Sequence, residues 1–123
     1  MTVNMDIKEI IEADIAKNHE GVNAEQAMKI FNSYLNDGYE AKKINDTVFI
    51  YKANKDTVNY HSINAAPMKD YVANVMEFFE TIKEYDVAVT PLTNPKLKGL
   101  IKRYLPKLVH IEGDYAITDL RSI

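Results

Sequence analysis

The spacing of apolar residues changes twice along this chain, and that change constrains the fold more than any other feature. Up to Leu35, apolar side chains recur every three or four positions, as on one face of an α-helix. Between Tyr39 and Ile63 the period is about two, as in half-buried strands. From Pro67 the helical spacing returns, followed by a short strand, another helix and a hairpin. This order predicts a mixed, mostly antiparallel sheet with helices on both faces.

Local signals place the boundaries of these elements. Asn23, followed three residues later by Gln26, has the pattern of a capping box, and Gly38 stands where the same helix would end. Breaks rich in asparagine, aspartate and glycine separate the strands. The predicted helices are Asp6–Lys17, Ala24–Leu35, Pro67–Ile82 and Pro95–Leu105, the last capped by Asn94. The predicted strands are Tyr39–Ile44, Thr47–Ala53, Thr57–Ile63, Val87–Thr90, Leu108–Glu112 and Tyr115–Leu120.

Composition excludes several classes of function. A length of 123 residues, with 46% hydrophobic and 27% charged residues, predicts a single folded domain over residues 1–123. Because cysteine is missing, disulfides, thiolate metal sites and cysteine nucleophiles are ruled out. No apolar run reaches the ~20 residues of a membrane span, so we expect a cytoplasmic protein with no membrane contact. The net charge of −3 predicts that any binding to nucleic acid is local.

The order of elements resembles the GNAT acetyltransferase superfamily over nearly the whole chain. The resemblance is carried by strand Thr57–Ile63 running into the helix near Pro67, by the lone strand Val87–Thr90, and by Asn94 at the start of the next helix. The family's first strand is missing or reduced to Thr2–Asn4. The small size and the use of 13 Lys against 2 Arg are similar to small phage-encoded proteins of this fold, some of them virion-associated.

The resemblance implies a coenzyme site at the turn into the long helix, and this turn departs from the family pattern. In the family a Gln/Arg-x-x-Gly-x-Gly/Ala motif offers bare backbone amides to the pyrophosphate of acetyl-CoA. The matching stretch, residues 61–68, contains no glycine, and Pro67 removes one amide. The residues that remain as candidates for contacting the coenzyme are Asn64, Ala65, Ala66 and Met68.

The catalytic residues that the resemblance implies are also altered. The family places a proton-donating tyrosine seven residues after the capping asparagine, and that position is Ile101 here. Tyr104, one turn further, is the candidate substitute. His61 is a candidate general base, and the alternative is that it only points away from the core. The histidines are too dispersed to predict a metal site.

A run of basic residues is the strongest local charge feature. No acidic residue stands between Pro95 and Lys107, a stretch that predicts a helix. The candidate partner-binding residues are Lys96, Lys98, Lys102, Arg103 and Lys107. They form either a surface for phosphate groups, nucleic acid or an acidic protein, or an ordinary solvated helix face.

Together these patterns predict a GNAT-like scaffold, encoded by a phage, that has lost acetyl-CoA catalysis. We expect it to bind a virion or host protein, to act in the host cytoplasm or the virion, and to use no cofactor. The alternative is a divergent N-acetyltransferase that uses acetyl-CoA. A third possibility is a nucleic-acid or host-protein binder that acts through the basic helix.

Overall fold

The computed structural model, which describes residues 6–18, 21, 23–92 and 95–123, contains a six-stranded sheet covered by helices on both faces. Its helices are α1 (Ile7–Asn18), α2 (Ala24–Asn36), α3 (Met68–Thr81) and α4 (Pro95–Tyr104). Its strands are β1 (Glu40–Ile44), β2 (Thr47–Asn54), β3 (Thr57–Asn64), β4 (Val87–Pro91), β5 (Val109–Glu112) and β6 (Tyr115–Asp119). The predicted order is confirmed, and most ends lie within about one residue of the predicted ones.

The strand order in the sheet is β1-β2-β3-β4-β6-β5. Every pairing is antiparallel except that of β3 with β4, which are joined through α3. A parallel pair needs a long crossover, and the α3 segment supplies it. The predicted mixed, mostly antiparallel sheet flanked by helices is therefore confirmed.

Alternation along β2 divides the core between the two faces of the sheet. Val48 and Ile50 pack under α1 and α2, whereas Phe49 points to the opposite face. There the Phe49 ring stacks on Phe78 of α3, with the ring centroids 4.3 Å apart and the planes 3° from parallel. Further along the same face, Ile101 of α4 packs against β5 and β6.

Caps and turns follow the sequence signals closely. The Asn23 side chain accepts a hydrogen bond from the Gln26 amide, and the Gln26 side chain accepts one from the Asn23 amide, so the predicted capping box is confirmed. Gly38 follows α2 with a φ of +90°, a conformation that favours glycine. Pro67 immediately precedes α3 rather than beginning it, because its ψ of 154° is extended. The predicted Thr2–Asn4 strand and the Asn94 cap lie outside the described residues.

Candidate functional site

The parallel strands β3 and β4 separate before either of them ends. They pair only from Thr57 with Val87 to Asn59 with Val89, although β3 continues to Asn64 and β4 to Pro91. A gap therefore opens towards the carboxyl ends of both strands, and the turn into α3 lies at the end of β3. In sheets of this kind, ligands bind outside the carboxyl ends of diverging strands.

A small cleft lies in this gap, on the face covered by α3 and α4. Its volume is about 30 Å³, which is room for one or two water molecules. Four residues that carry a hydroxyl group line it, namely Tyr60, Ser62, Tyr71 and Thr90. The remaining wall is apolar and consists of Val75, Phe79, Leu92, Ile101, Leu105 and Val109. The cleft is therefore narrow and mostly apolar.

Two tyrosine hydroxyls in the cleft are held in the neutral form. Burial raises the pKa of Tyr60 far above its ordinary value. Burial also raises the pKa of Tyr71; the hydrogen bond between Tyr71 and Ser62 opposes this shift, and the negative charge of Asp14 adds to it. The Ser62 and Tyr71 hydroxyl oxygens are 2.7 Å apart. Both tyrosines therefore act as hydrogen-bonding hydroxyls near neutral pH.

The turn between β3 and α3 uses its own amides internally. The Ala65 amide donates to the Asp46 carbonyl at 2.9 Å, and the Ala66 amide donates to the Asn64 side-chain oxygen at 3.0 Å. The Asn64 side-chain nitrogen in turn donates to the Ala66 carbonyl at 2.9 Å. Pro67 has no amide hydrogen. The three positions that follow Asn64 therefore offer no unengaged amide to an anion.

A buried polar network holds Asn64 in this position. The Thr47 hydroxyl donates to the Asn64 side-chain oxygen at 2.8 Å, and the Asn74 side chain donates to the Thr47 hydroxyl at 2.9 Å. The Asn45 side chain donates to Asn74 at 2.8 Å. Thr47 and Asn74 are only 0% and 2% exposed. The sequence patterns do not predict this network, although a polar Asn74 on the apolar face of the long helix indicates a buried hydrogen-bonding group there.

The other predicted coenzyme contacts differ in their exposure. Ala66 is buried, with only 5% of its surface exposed. Met68, the first residue of α3, is 43% exposed. The first turn of α3 also carries Asp70, whose negative charge lies near the end of the helix that attracts anions. The turn therefore brings Asn64, Ala65 and Ala66 together and leaves Met68 on the surface.

The two candidate positions on α4 differ in how far they are exposed. Ile101, where the family places its tyrosine, is buried and lines the cleft. Tyr104 is 48% exposed, and the Arg103 guanidinium lies 5.4 Å from its ring centroid. The structure thus does not bring Tyr104 together with the groups in the gap.

His61 faces a second and larger cavity on the opposite face of the sheet. This pocket, of about 290 Å³, lies between α1, α2 and the sheet. The His61 ring is half-buried, and its centroid is 5.0 Å from that of the Tyr34 ring. Burial lowers the pKa of His61 from its ordinary value of 6.5, so the imidazole is neutral at neutral pH. Because neighbouring strand residues point to opposite faces, His61 and the Ser62–Tyr71 pair lie on different sides of β3.

The basic residues of α4 and the following turn lie on the surface. Lys102, Arg103 and Lys107 are exposed, and Lys98 is partly buried. None of these four forms an ion pair within the part of the chain that the structure describes. The Lys96 side chain lies outside the described residues. These cations belong to a stretch of the chain that contains no acidic residue, and we call them the positive surface of α4.

No group of three or more histidine, aspartate or glutamate side chains could hold a metal ion among residues 6–18, 21, 23–92 and 95–123. No helix within those ranges is long and apolar enough to span a lipid bilayer.

Comparison with known proteins supports the fold and does not extend to a sequence family. No protein-family model matches the sequence, and no curated protein matches it either. Among solved structures, the chain is similar to the crystal structure of an N-acetyltransferase from Staphylococcus aureus Mu50. The TM-score is 0.50 at 12% sequence identity, over 98% of each chain. The chain therefore has a GNAT-like fold, of the kind that this acetyltransferase represents.

Proposed function

We propose that this protein is a binding protein built on a GNAT-like fold that no longer holds acetyl-CoA. The observation that carries the proposal is the state of the turn after β3. The amides of Ala65 and Ala66 already have acceptors within the chain, and Pro67 has no amide to offer. A pyrophosphate at this position would have to displace two hydrogen bonds, which the Ala65 amide donates to the Asp46 carbonyl and the Ala66 amide donates to the Asn64 side-chain oxygen.

The size of the cleft between β3 and β4 supports the same conclusion. Pockets that take small molecules typically have volumes of roughly 300 Å³ or more, about ten times the volume of this cleft. Ile101 and Leu105 of the α4 region fill the space opposite α3. A coenzyme arm in the gap would need both side chains to move.

The positive surface of α4 supports a role in binding. Lys102, Arg103 and Lys107 are exposed cations, and Arg103 packs beside the exposed ring of Tyr104. Arginine and tyrosine are enriched where proteins bind one another. In this proposal the partner is a protein with an acidic surface, from a virion or from a host cell of a phage.

Titration calorimetry with acetyl-CoA tests the proposal. We expect no saturable heat at millimolar coenzyme, because the amides and the cleft are occupied. A matched variant carrying Asn64→Gly and Pro67→Gly frees the Ala66 amide and adds one at position 67, and we expect it to bind more tightly than the native protein. Thermal unfolding checks that the variant folds. Binding of acetyl-CoA to the native protein in the low micromolar range would contradict the proposal.

The second candidate is the divergent N-acetyltransferase, and the separation of β3 from β4 favours it. In this candidate a water molecule acts as the base, and Tyr71 or a second water supplies the proton to the leaving thiolate. It predicts acetyl transfer to an amine that is reduced at least about tenfold by Tyr71→Phe. The absence of turnover across a broad panel of amines would exclude it.

A further inference from the structure

The second half of the sheet packs against helices on one face only. Ala88 of β4, Ala116 of β6 and Val109 of β5 are buried on the face that α3 and α4 cover. Because neighbouring strand residues point to opposite faces, the residues that alternate with these three point the other way. On that other face, the core cluster under α1 and α2 takes its strand residues from β2 and β3. The outer face of β4, β6 and β5 therefore lies outside every hydrophobic core cluster that the described residues form.

This outer face is apolar and partly exposed to water. We call it the open face, and its apolar side chains are those of Val87, Val89, Pro91, Tyr115 and Ile117. None of them is buried, and Tyr115 is 52% exposed. A sheet face that meets water normally carries polar side chains, whereas apolar side chains on both faces of a strand are typical of a strand that is covered on both sides. The open face therefore has the composition of a contact surface.

Charges of opposite sign lie at the two ends of the open face. Glu112 ends β5, and its Oε1 is 3.4 Å from Nε2 of His110 on the same strand. Arg121 follows β6 at the other end, and its Nε is 3.2 Å from Oδ1 of Asp119. Both Glu112 and Arg121 are exposed. Because a guanidinium group has five N–H donors, Arg121 can bind a second carboxylate beside Asp119.

We propose that two copies of this chain pack their open faces against each other in a symmetric dimer. A half-turn about an axis that crosses the strands at Ile117 places Ile117 of one copy on Ile117 of the second copy. The same half-turn brings the Glu112 end of each copy to the Arg121 end of the other, so that unlike charges meet at both ends. A half-turn about an axis along the strands would instead place like ends together. The charges therefore select the first arrangement.

The size of the open face indicates a weak dimer. Three strands about 4.8 Å apart and up to five residues long cover roughly 15 by 17 Å. Such an area lies at the lower end of the range for specific interfaces, so we expect a dissociation constant on the order of 100 µM. The inference is independent of acetyl-CoA binding and of the positive surface of α4, because α4 and the β3–β4 cleft lie on the opposite face of the sheet.

Sedimentation velocity of the native protein tests for the dimer. Between about 20 µM and about 1 mM, we expect the sedimentation coefficient to rise from that of a monomer to that of a dimer. Ile117→Asp puts a charge at the centre of both open faces and should weaken the dimer more than about tenfold. Ala73→Asp, at an exposed position of α3, is the control and should leave association unchanged. Thermal unfolding checks that both variants fold.

Two charge reversals test the arrangement of the copies without changing the apolar centre. Glu112→Arg alone, or Arg121→Glu alone, places like charges at both ends of the dimer, and we expect each variant to dimerise at least about threefold more weakly. In an equimolar mixture of the two variants, unlike charges meet again at both ends of a mixed dimer, so we expect association to recover. Both variants should fold, since exposed charges contribute little to stability.

Three results would overturn the proposal. One is a native protein that stays monomeric at about 1 mM, far above the expected dissociation constant. Another is a mixture of the two charge variants that associates no better than either variant alone. The third is association that survives Ile117→Asp but is lost in Lys102→Glu with Arg103→Glu, because the copies would then meet through α4.

Discussion

The Asn64 side chain makes three hydrogen bonds at the turn between β3 and α3. Its oxygen accepts hydrogen bonds from the Ala66 amide and the Thr47 hydroxyl, and its nitrogen donates to the Ala66 carbonyl. The same side chain thus occupies an amide that would meet an anion and fastens the turn to β2. A glycine at position 64 would do neither.

Replacing Asn64 by alanine should destabilise the protein. The change removes three hydrogen bonds and leaves the Ala66 amide without its acceptor, so we expect the free energy of unfolding to fall by about 2 kcal/mol. Urea denaturation measures this difference. Asn59→Ala, at an exposed position of the same strand, is the control and should change stability by less than about 0.5 kcal/mol. If the two substitutions lowered the free energy of unfolding equally, the hydrogen-bond network would not contribute to stability.

His61 should make the stability depend on pH in a defined direction. Its pKa in the folded protein lies below the ordinary value of 6.5, so the unfolded chain binds the proton more readily. The free energy of unfolding therefore falls as the pH drops through 6.5 towards the folded pKa. His61→Gln removes this contribution, and its loss of stability on acidification should be smaller than that of the native protein. Parallel curves for the two proteins would contradict the assignment of His61 to a desolvated position.

At the scale of elements, local sequence signals predicted the helices, strands and turns well. The capping box at Asn23 and Gln26 is formed within four residues, and the alternation along β2 depends only on the pleat of a strand. The site was less predictable because its partners are distant in sequence. The side chain of Thr47 is hydrogen-bonded to those of Asn64 and Asn74, and local sequence patterns do not predict hydrogen bonds between residues so far apart in the chain. The pocket beside His61, on the other face of β3, likewise could not be predicted, because it depends on how α1 and α2 pack on the sheet.

The basic surface of α4 should bind an acidic partner through particular residues rather than through net charge. We expect Lys102→Glu with Arg103→Glu to abolish retention on immobilised polyglutamate at low salt, because both side chains are exposed and form no ion pair among the described residues. Lys8→Glu with Lys55→Glu changes the net charge equally at exposed positions elsewhere and is the control. Both variants should fold, since exposed charges contribute little to stability. If both double variants lost retention on polyglutamate equally, binding would depend on net charge and not on the α4 residues.

At the scale of the whole molecule, the fold is GNAT-like, whereas the turn after β3 and the nearby cleft argue against coenzyme binding. The GNAT-like order of elements and the separation of β3 from β4 depend on backbone topology, and both are present. In our proposal, holding a coenzyme depends instead on a few amides and on space in the gap. The amides of Ala65 and Ala66 already have acceptors within the chain, and the cleft in the gap is small. A shared fold does not imply a shared activity. The central claim is therefore that this fold persists without its coenzyme site.

The most direct test follows the backbone amides of Ala65 and Ala66 by NMR while coenzyme A is added to the isotope-labelled native protein. Because both amides already donate within the chain, we predict no saturable change in their chemical shifts at millimolar coenzyme. Saturable shifts of these two amides at micromolar coenzyme would show that the pyrophosphate displaces the internal acceptors, and would contradict the account.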